Sequence, residues 1–125
     1  MCSSDLGQDY ELGGALALSG DTLVVGAPGE NSGATGIGGN QTNGSAPHAG
    51  AAYVFARSGT TWTQTAYVKA SNTDSDDGFG SAIALSADSL VIGAPGEASS
   101  APGVNPANAQ ADNTGPGAGA VYVFR

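Results

Sequence analysis

The sequence predicts an all-β fold built from two copies of one antiparallel unit. The clearest sign is internal repetition. Residues 11–30, ELGGALALSGDTLVVGAPGE, return at 78–97 as GFGSAIALSADSLVIGAPGE, an offset of 67. Residues 50–55, GAAYVF, return at 119–124 as GAVYVF, an offset of 69. A fixed period marks one supersecondary unit used twice, and the two-residue slip falls in the connection between the matching blocks. The second sign is a period of two in the apolar residues, which suits strands and not helices. The third is punctuation: Gly, Pro, Asp and Ser bound every apolar run.

Taken in order, Leu16–Leu18 and Ile83–Leu85 alternate a branched aliphatic with Ala and read as first strands. The short turns Ser19-Gly20-Asp21 and Ser86-Ala87-Asp88 lead into second strands, Thr22–Ala27 and Ser89–Ala94. Gly-Ala-Pro-Gly stops each of these, because Pro cannot donate to a ladder and Gly permits φ > 0. Third strands are Ala51–Phe55 and Ala120–Phe124. A fourth, Thr61–Lys69, follows the turn Arg57-Ser58-Gly59-Thr60 and places Trp62, Gln64, Ala66 and Val68 on one face by simple alternation. The first unit is therefore expected to hold four antiparallel strands and the second, truncated, three.

Composition narrows the function. Leu, Ile, Val and Phe together occupy 21 of 125 positions, and the net charge is −8. By bulk these values suit a disordered chain, but the aliphatics are gathered in the regular clusters above, which argues for a packed fold. Only 3 Lys and Arg stand against 11 Asp and Glu. That balance excludes nucleic acid and anionic membrane surfaces, which need clustered cations, and leaves cations and basic partners open. No apolar run approaches the roughly 20 residues of a membrane span, so no membrane insertion is expected. Cys2 is the single thiol, so no internal disulfide holds the fold.

Strands of Ala, Gly, Leu and Val need cover on both faces. Stacked copies of a four-stranded sheet provide it, as in the blades of a β-propeller, where small residues let inner strands crowd the axis. Two sheets packed as a sandwich are the competing arrangement. The four-strand period of about 67 residues favours the propeller. Phe79-Gly80 opens a strand and is followed by Gly93-Ala94-Pro95, with Leu12-Gly13 and Gly26-Ala27-Pro28 in the first copy. With the flanking AYVF, VYVF and WTQTAYVKASN segments, this pattern resembles the FG-GAP repeat in its bacterial style. The resemblance covers Gln8 to Arg125. It implies integrin-like β-propeller blades, exported and often part of large multi-repeat surface proteins. On this reading residues 7–70 are one blade, residues 71–125 a second lacking its fourth strand, and further propeller blades are partners. MCSSDL, residues 1–6, resembles the translation of a sequencing adapter and is expected not to be native. It has neither a basic nor an apolar region of a signal peptide. The end at Arg125, directly after a strand, is expected to mark a fragment of a longer protein.

Calcium-binding members of that family carry an Asp/Asn-rich loop between the first two strands. Here that connection is three residues with one carboxylate each, Asp21 and Asp88, too few for a cation that takes about six to eight oxygens. They read as turn residues, and no cofactor is assigned. The remaining metal candidates are Asp74, Asp76 and Asp77, in Asn72–Gly78; Asp74-x-Asp76 with Asp77-Gly78 is similar to the opening of an EF-hand-like Ca²⁺ loop, without its closing Glu. A solvated loop whose charges blunt a sheet edge is the other reading. His48, the only imidazole, has no nucleophile or second ligand at informative spacing. No catalytic residues are assigned.

Two long connections, Asn31–Ala49 and Ala98–Ala118, exceed ordinary loops. Their Gly, Ser, Asn and Pro content favours flexibility, yet Gln41/Gln110, Asn43/Asp112 and Glu30/Glu97 correspond between copies. Such repetition fits side chains bonding to backbone in place of secondary structure; recognition and simple decoration both remain open for these loops. The functional expectation is a non-catalytic extracellular scaffold for adhesion or for protein and surface ligands. The alternative is an accessory propeller domain attached to a secreted enzyme.

Overall fold

The structure is a computed structural model and describes residues 9–103 and 112–125. Residues 1–6, with Cys2, and Gln110 lie outside the described residues. Seven strands follow in chain order: β1 Leu16–Ser19, β2 Thr22–Ala27, β3 Ala51–Ser58, β4 Thr61–Val68, β5 Ala82–Leu85, β6 Leu90–Ala94 and β7 Ala120–Phe124. They form a four-stranded sheet in the order β1-β2-β3-β4 and a three-stranded sheet in the order β5-β6-β7, all antiparallel. The expected fold class is what is found, and the sequence repeat maps strand for strand.

The registers define two faces per sheet. Leu16 pairs with Val25 and Val25 with Tyr53, while Leu18 pairs with Leu23 and Leu23 with Phe55; this is the front of sheet one. Ile83, Ile92 and Tyr122, with Leu85, Leu90 and Phe124, are their counterparts in sheet two. The back of sheet one carries Val24, Ala52, Val54, Ala66 and Val68. One core joins the back of sheet one to the front of sheet two, with Val24, Ala52, Val68, Phe79 and Ile92 at its centre. The units therefore stack front on back, each presenting the same surface in the same direction. Fully burying an aliphatic or aromatic side chain contributes roughly 1.5–3 kcal/mol, so this shared core is a main source of stability for both sheets.

The Phe-Gly of the second copy is the joint between them. Phe79 is fully buried and meets the rings of Tyr122 at 5.3 Å and Phe124 at 6.4 Å, both edge-on. Its amide donates to Ala49 O at 2.9 Å, and the Gly80 amide donates to Gly93 O at 3.1 Å. The Gly of Gly-Ala-Pro in the first copy is required by this approach. A Cβ on Gly26 would lie 2.0 Å from the Gly80 carbonyl oxygen, and one on Gly50 would lie 2.1 Å from that of Phe79. In the first copy Leu12 holds the position of Phe79 and packs, partly buried, on the front cluster.

Two expectations are corrected. Trp62, Gln64, Ala66 and Val68 do not share a face. The register with β3 shifts, Val54 facing Ala66 but Phe55 facing Gln64, so Thr65 is an extra residue. This bulge reverses the alternation: Trp62 joins Tyr53 and Tyr67 on the front, while Ala66 and Val68 stay on the back. Composition suggested flexibility for the loop at 31–49, but part of it is tied to β4. Gly36 N donates to Ala70 O, Lys69 N to Gly36 O and Gly38 N to Tyr67 O, at 3.1, 2.8 and 2.9 Å, and Ile37 bridges Val68. The loop thus lays a short fifth edge along the sheet.

Candidate functional site

Each Gly-Ala-Pro-Gly-Glu ends in a tight turn, Glu30 N donating to Ala27 O and Glu97 N to Ala94 O. The turn carries the Glu side chain inward at the mouth of the long loop. Glu30 is fully buried. Its Oε1 accepts from Ser32 N at 2.9 Å, and its Oε2 accepts from the Tyr67 hydroxyl and from Lys69 Nζ, both at 2.9 Å. Lys69, the sole lysine of the chain, is also fully buried. Burial lowers its pKa, and Glu30 followed by Asp77 oppose that shift. Burial likewise raises the Tyr67 phenol above its usual range. A buried ion pair of this kind is costly to desolvate, so it adds more to register than to net stability, while removal of one partner leaves the other stranded.

The second copy repeats half of this arrangement. Glu97 is 3% exposed. Its Oε2 accepts from Ser99 N at 3.1 Å, as Glu30 does from Ser32. Ala34 N and Ala101 N then donate to the Ser32 and Ser99 hydroxyls, so the loop mouths share one conformation. The other Glu97 oxygen accepts from Asn72 Nδ2 at 3.1 Å, and Asn72 Oδ1 accepts from the Tyr122 hydroxyl at 2.6 Å. Among the described residues no ammonium or guanidinium lies within ion-pair distance of Glu97. Instead Glu97 lines an open cleft of about 1130 Å³ beside β7, with Lys69, Asn72, Gly103, Tyr122 and Phe124. The front of the first copy shows the converse gap. Tyr53, the counterpart of Tyr122, is buried, and its hydroxyl has no hydrogen-bond partner among the described residues.

The three acidic candidates point apart. Asp77 is turned inward, 3% exposed, its Oδ2 accepting from Asp74 N at 2.9 Å. Burial pushes its carboxyl up to about 6, with the Asp74 amide opposing. Asp74 Oδ2 accepts from Asn113 Nδ2 at 3.0 Å, across to the second long loop. Asp76 faces solvent at φ 67°, with His48 Nδ1 3.4 Å away. Among the described residues no three His, Cys, Asp or Glu side chains group as a metal site would require. Asp21 sits in the β1–β2 turn and accepts from Arg57 Nε and Nη2 at 2.9 and 2.8 Å, and Asp88 lies in the matching turn of the second copy.

Of the repeated loop residues, Asn43 and Asp112 do the same work, each accepting from the amide two residues on, Ser45 at 3.1 Å and Thr114 at 3.0 Å. His48 donates its amide to Asn31 Oδ1 at 2.8 Å, its carbonyl accepts from Gly78 N at 3.0 Å, and its exposed ring lies beside Asp76. The Glu30–Lys69–Tyr67 cluster was not assigned from sequence. The available signal was a lone lysine at the end of an apolar strand, two residues from a tyrosine, in a chain whose loop-mouth glutamate is repeated.

Comparison with known families agrees with this geometry. The family model described as FG-GAP repeat matches residues 1–55, which hold β1, β2 and most of β3, and again residues 62–124, which run from β4 of the first sheet through all of the second. A search of curated proteins found no match.

Proposed function

The chain belongs to the FG-GAP repeat family, and from that premise we propose that it is two consecutive blades of a non-catalytic extracellular β-propeller scaffold, whose loops serve adhesion or protein binding. FG-GAP repeats are generally structural scaffolds and typically extracellular, and no described helix is long and apolar enough to cross a membrane. The observation that carries the reading is the front-on-back stacking. It leaves Leu16 and Leu18, 62% and 64% exposed, on the front of the first sheet, and Val121 and Val123, 69% and 56% exposed, on the back of the second. Large apolar side chains in such rows mark surfaces meant to be covered, and further blades of the same kind would cover both. The Tyr53 hydroxyl, without a partner among the described residues, supports the same direction, since Tyr122 receives its partner, Asn72, from the segment that precedes its own sheet.

Two measurements test the reading. An antibody raised against the purified chain should stain intact producing cells; staining only after lysis would overturn the extracellular assignment. Beads coated with the purified chain should adhere to those cells, and replacing residues 39–44 by Gly and Ser should reduce adhesion severalfold without loss of the β spectrum. Equal adhesion would remove the loop from the binding role.

A further inference from the structure

The two sheets are one experiment performed twice, with the fourth strand present in one and absent beside the other. In the first, β4 pairs with β3 so that Tyr67 faces Tyr53 and Val68 faces Ala52. Two residues beyond Tyr67, Lys69 places its ammonium on Glu30 at 2.9 Å. On the outer side Gly36 and Gly38 of the long loop clamp the same stretch of backbone. In the second sheet the tyrosine, the loop-mouth glutamate and the counterpart of Gly36 are in place among the described residues. Among the described residues no strand pairs with the outer edge of β7, which carries Tyr122 in the position of Tyr53. Glu97 holds the position of Glu30 in the same loop-mouth turn. Gly103, the counterpart of Gly36, stands on the wall of the cleft, and Glu97 is on that wall too.

From this geometry we infer that the β7 edge and Glu97 form a recognition site for one extended strand carrying Tyr-x-Lys, of the same chemistry as β4. The strand adds antiparallel to β7, its tyrosine faces Tyr122, and its lysine, two residues on, seats an ammonium on Glu97. The inference rests on the reading of the two sheets as copies of one blade, and it names what that reading does not: the side chains by which the open edge selects its occupant. Main-chain pairing supplies affinity to any extended segment, while a pocketed side chain supplies choice. A carboxylate accepts about four hydrogen bonds, and the contacts of Glu97 given above, from Ser99 N and Asn72, leave capacity for an ammonium. A buried acid selects strongly for a cation, because a neutral residue there forgoes a charge-assisted bond.

The test uses the whole chain, isotope-labelled, titrated with a synthetic peptide of residues 61–70. Saturable binding is expected, with new hydrogen-exchange protection on alternate amides of β7. The Lys69→Met peptide should bind at least about tenfold more weakly, the size expected for one hydrogen bond to a charged group. Glu97→Gln should weaken the parent peptide by a similar factor, and Glu97→Gln with the Lys69→Met peptide should show no additional loss. Absence of β7 protection at saturating peptide would overturn the strand-addition site. Protection with equal affinity for both peptides would overturn the lysine lock while leaving the blade reading intact. Protection of β7 that rises with protein concentration and without peptide would assign the edge to a second copy and overturn the proposal. Because the peptide variant leaves the protein unaltered, the result does not depend on Glu97→Gln folding.

Discussion

Around Glu30 the first blade is closed: strand, loop and lysine lock over one carboxylate, and the side chains of Glu30, Lys69 and Tyr67 are all buried. Around Glu97 the second blade keeps the same turn, the same Ser amide and the same tyrosine position, yet opens onto a cleft. The difference separates what is local from what is delivered. The Gly-Ala-Pro-Gly-Glu turn and the Glu-Ser-Ala mouth form in both copies, so they follow from their own sequence. Among the described residues, the ion pair and the loop clamp are found where a fourth strand supplies backbone and lysine. A second contrast lies between the sheets, where the joint of the second copy holds Phe79 and the same place in the first holds a partly covered Leu12.

The sharpest way to break this comparison is at the joint. Phe79→Ala should cost about 3–5 kcal/mol in chemical denaturation and make the two sheets unfold in separate steps, whereas Leu12→Ala should cost about half as much or less. Equal losses would mean the units are not coupled through Phe79. Next, Glu30→Gln strands a buried ammonium and should cost about 3–5 kcal/mol, while Glu97→Gln, next to no cation, should cost about 1 kcal/mol. Parity between the two would contradict the closed-versus-open distinction.

The two Gly-Ala-Pro motifs give a third contrast. Gly26→Ala drives a methyl into the Gly80 carbonyl and should destabilise by about 1–3 kcal/mol or more. Gly93 faces the open back of the second sheet, where a Cβ would meet nothing nearer than 3.5 Å, so Gly93→Ala should change the midpoint by less than about 0.5 kcal/mol. The smallest effect is a pH slope. Asp77 occupies the place of Tyr10 in the first copy, as Gly96 N and Gly29 N donate to their respective carbonyls. Its carboxyl, raised by burial to about 6, stays protonated in the fold when the unfolded chain has already ionised. Its contribution is complete below about pH 4 and lost as pH rises through 6, a change of the order of 1 kcal/mol after solvent screening. Melting temperatures across that window should fall for the parent and flatten for Asp77→Asn; an unchanged slope would place the titration elsewhere.

Strand number, order and the two-residue slip were legible because repetition multiplies a weak alternation signal, and Gly-Ala-Pro-Gly states where a strand must stop. The bulge at Thr65 was not, since TQTAYV reads as unbroken alternation and only the facing residues Val54 and Phe55 reveal the extra one. The Glu30–Lys69 pair was hidden for a similar reason. Its partners lie 39 residues apart, and no local rule says that a lysine at a strand end turns inward. Asp74, Asp76 and Asp77 were legible as a cluster in sequence, but the positive φ at Asp76 and the inward turn at Asp77 send their carboxylates in different directions.

The thickness of the Phe79 joint has a consequence on a larger scale. With Gly26, Gly50 and Gly80 bringing backbones to contact on one side and an aromatic wedge on the other, the joint sets an angle between successive sheets. In a circular array that angle, multiplied by the number of sheets, must come to one full turn. The count of blades in such a ring is thus governed at its hinges, by a few small residues and one large one, and a broader residue at Gly26 would change the arithmetic before it changed any sheet.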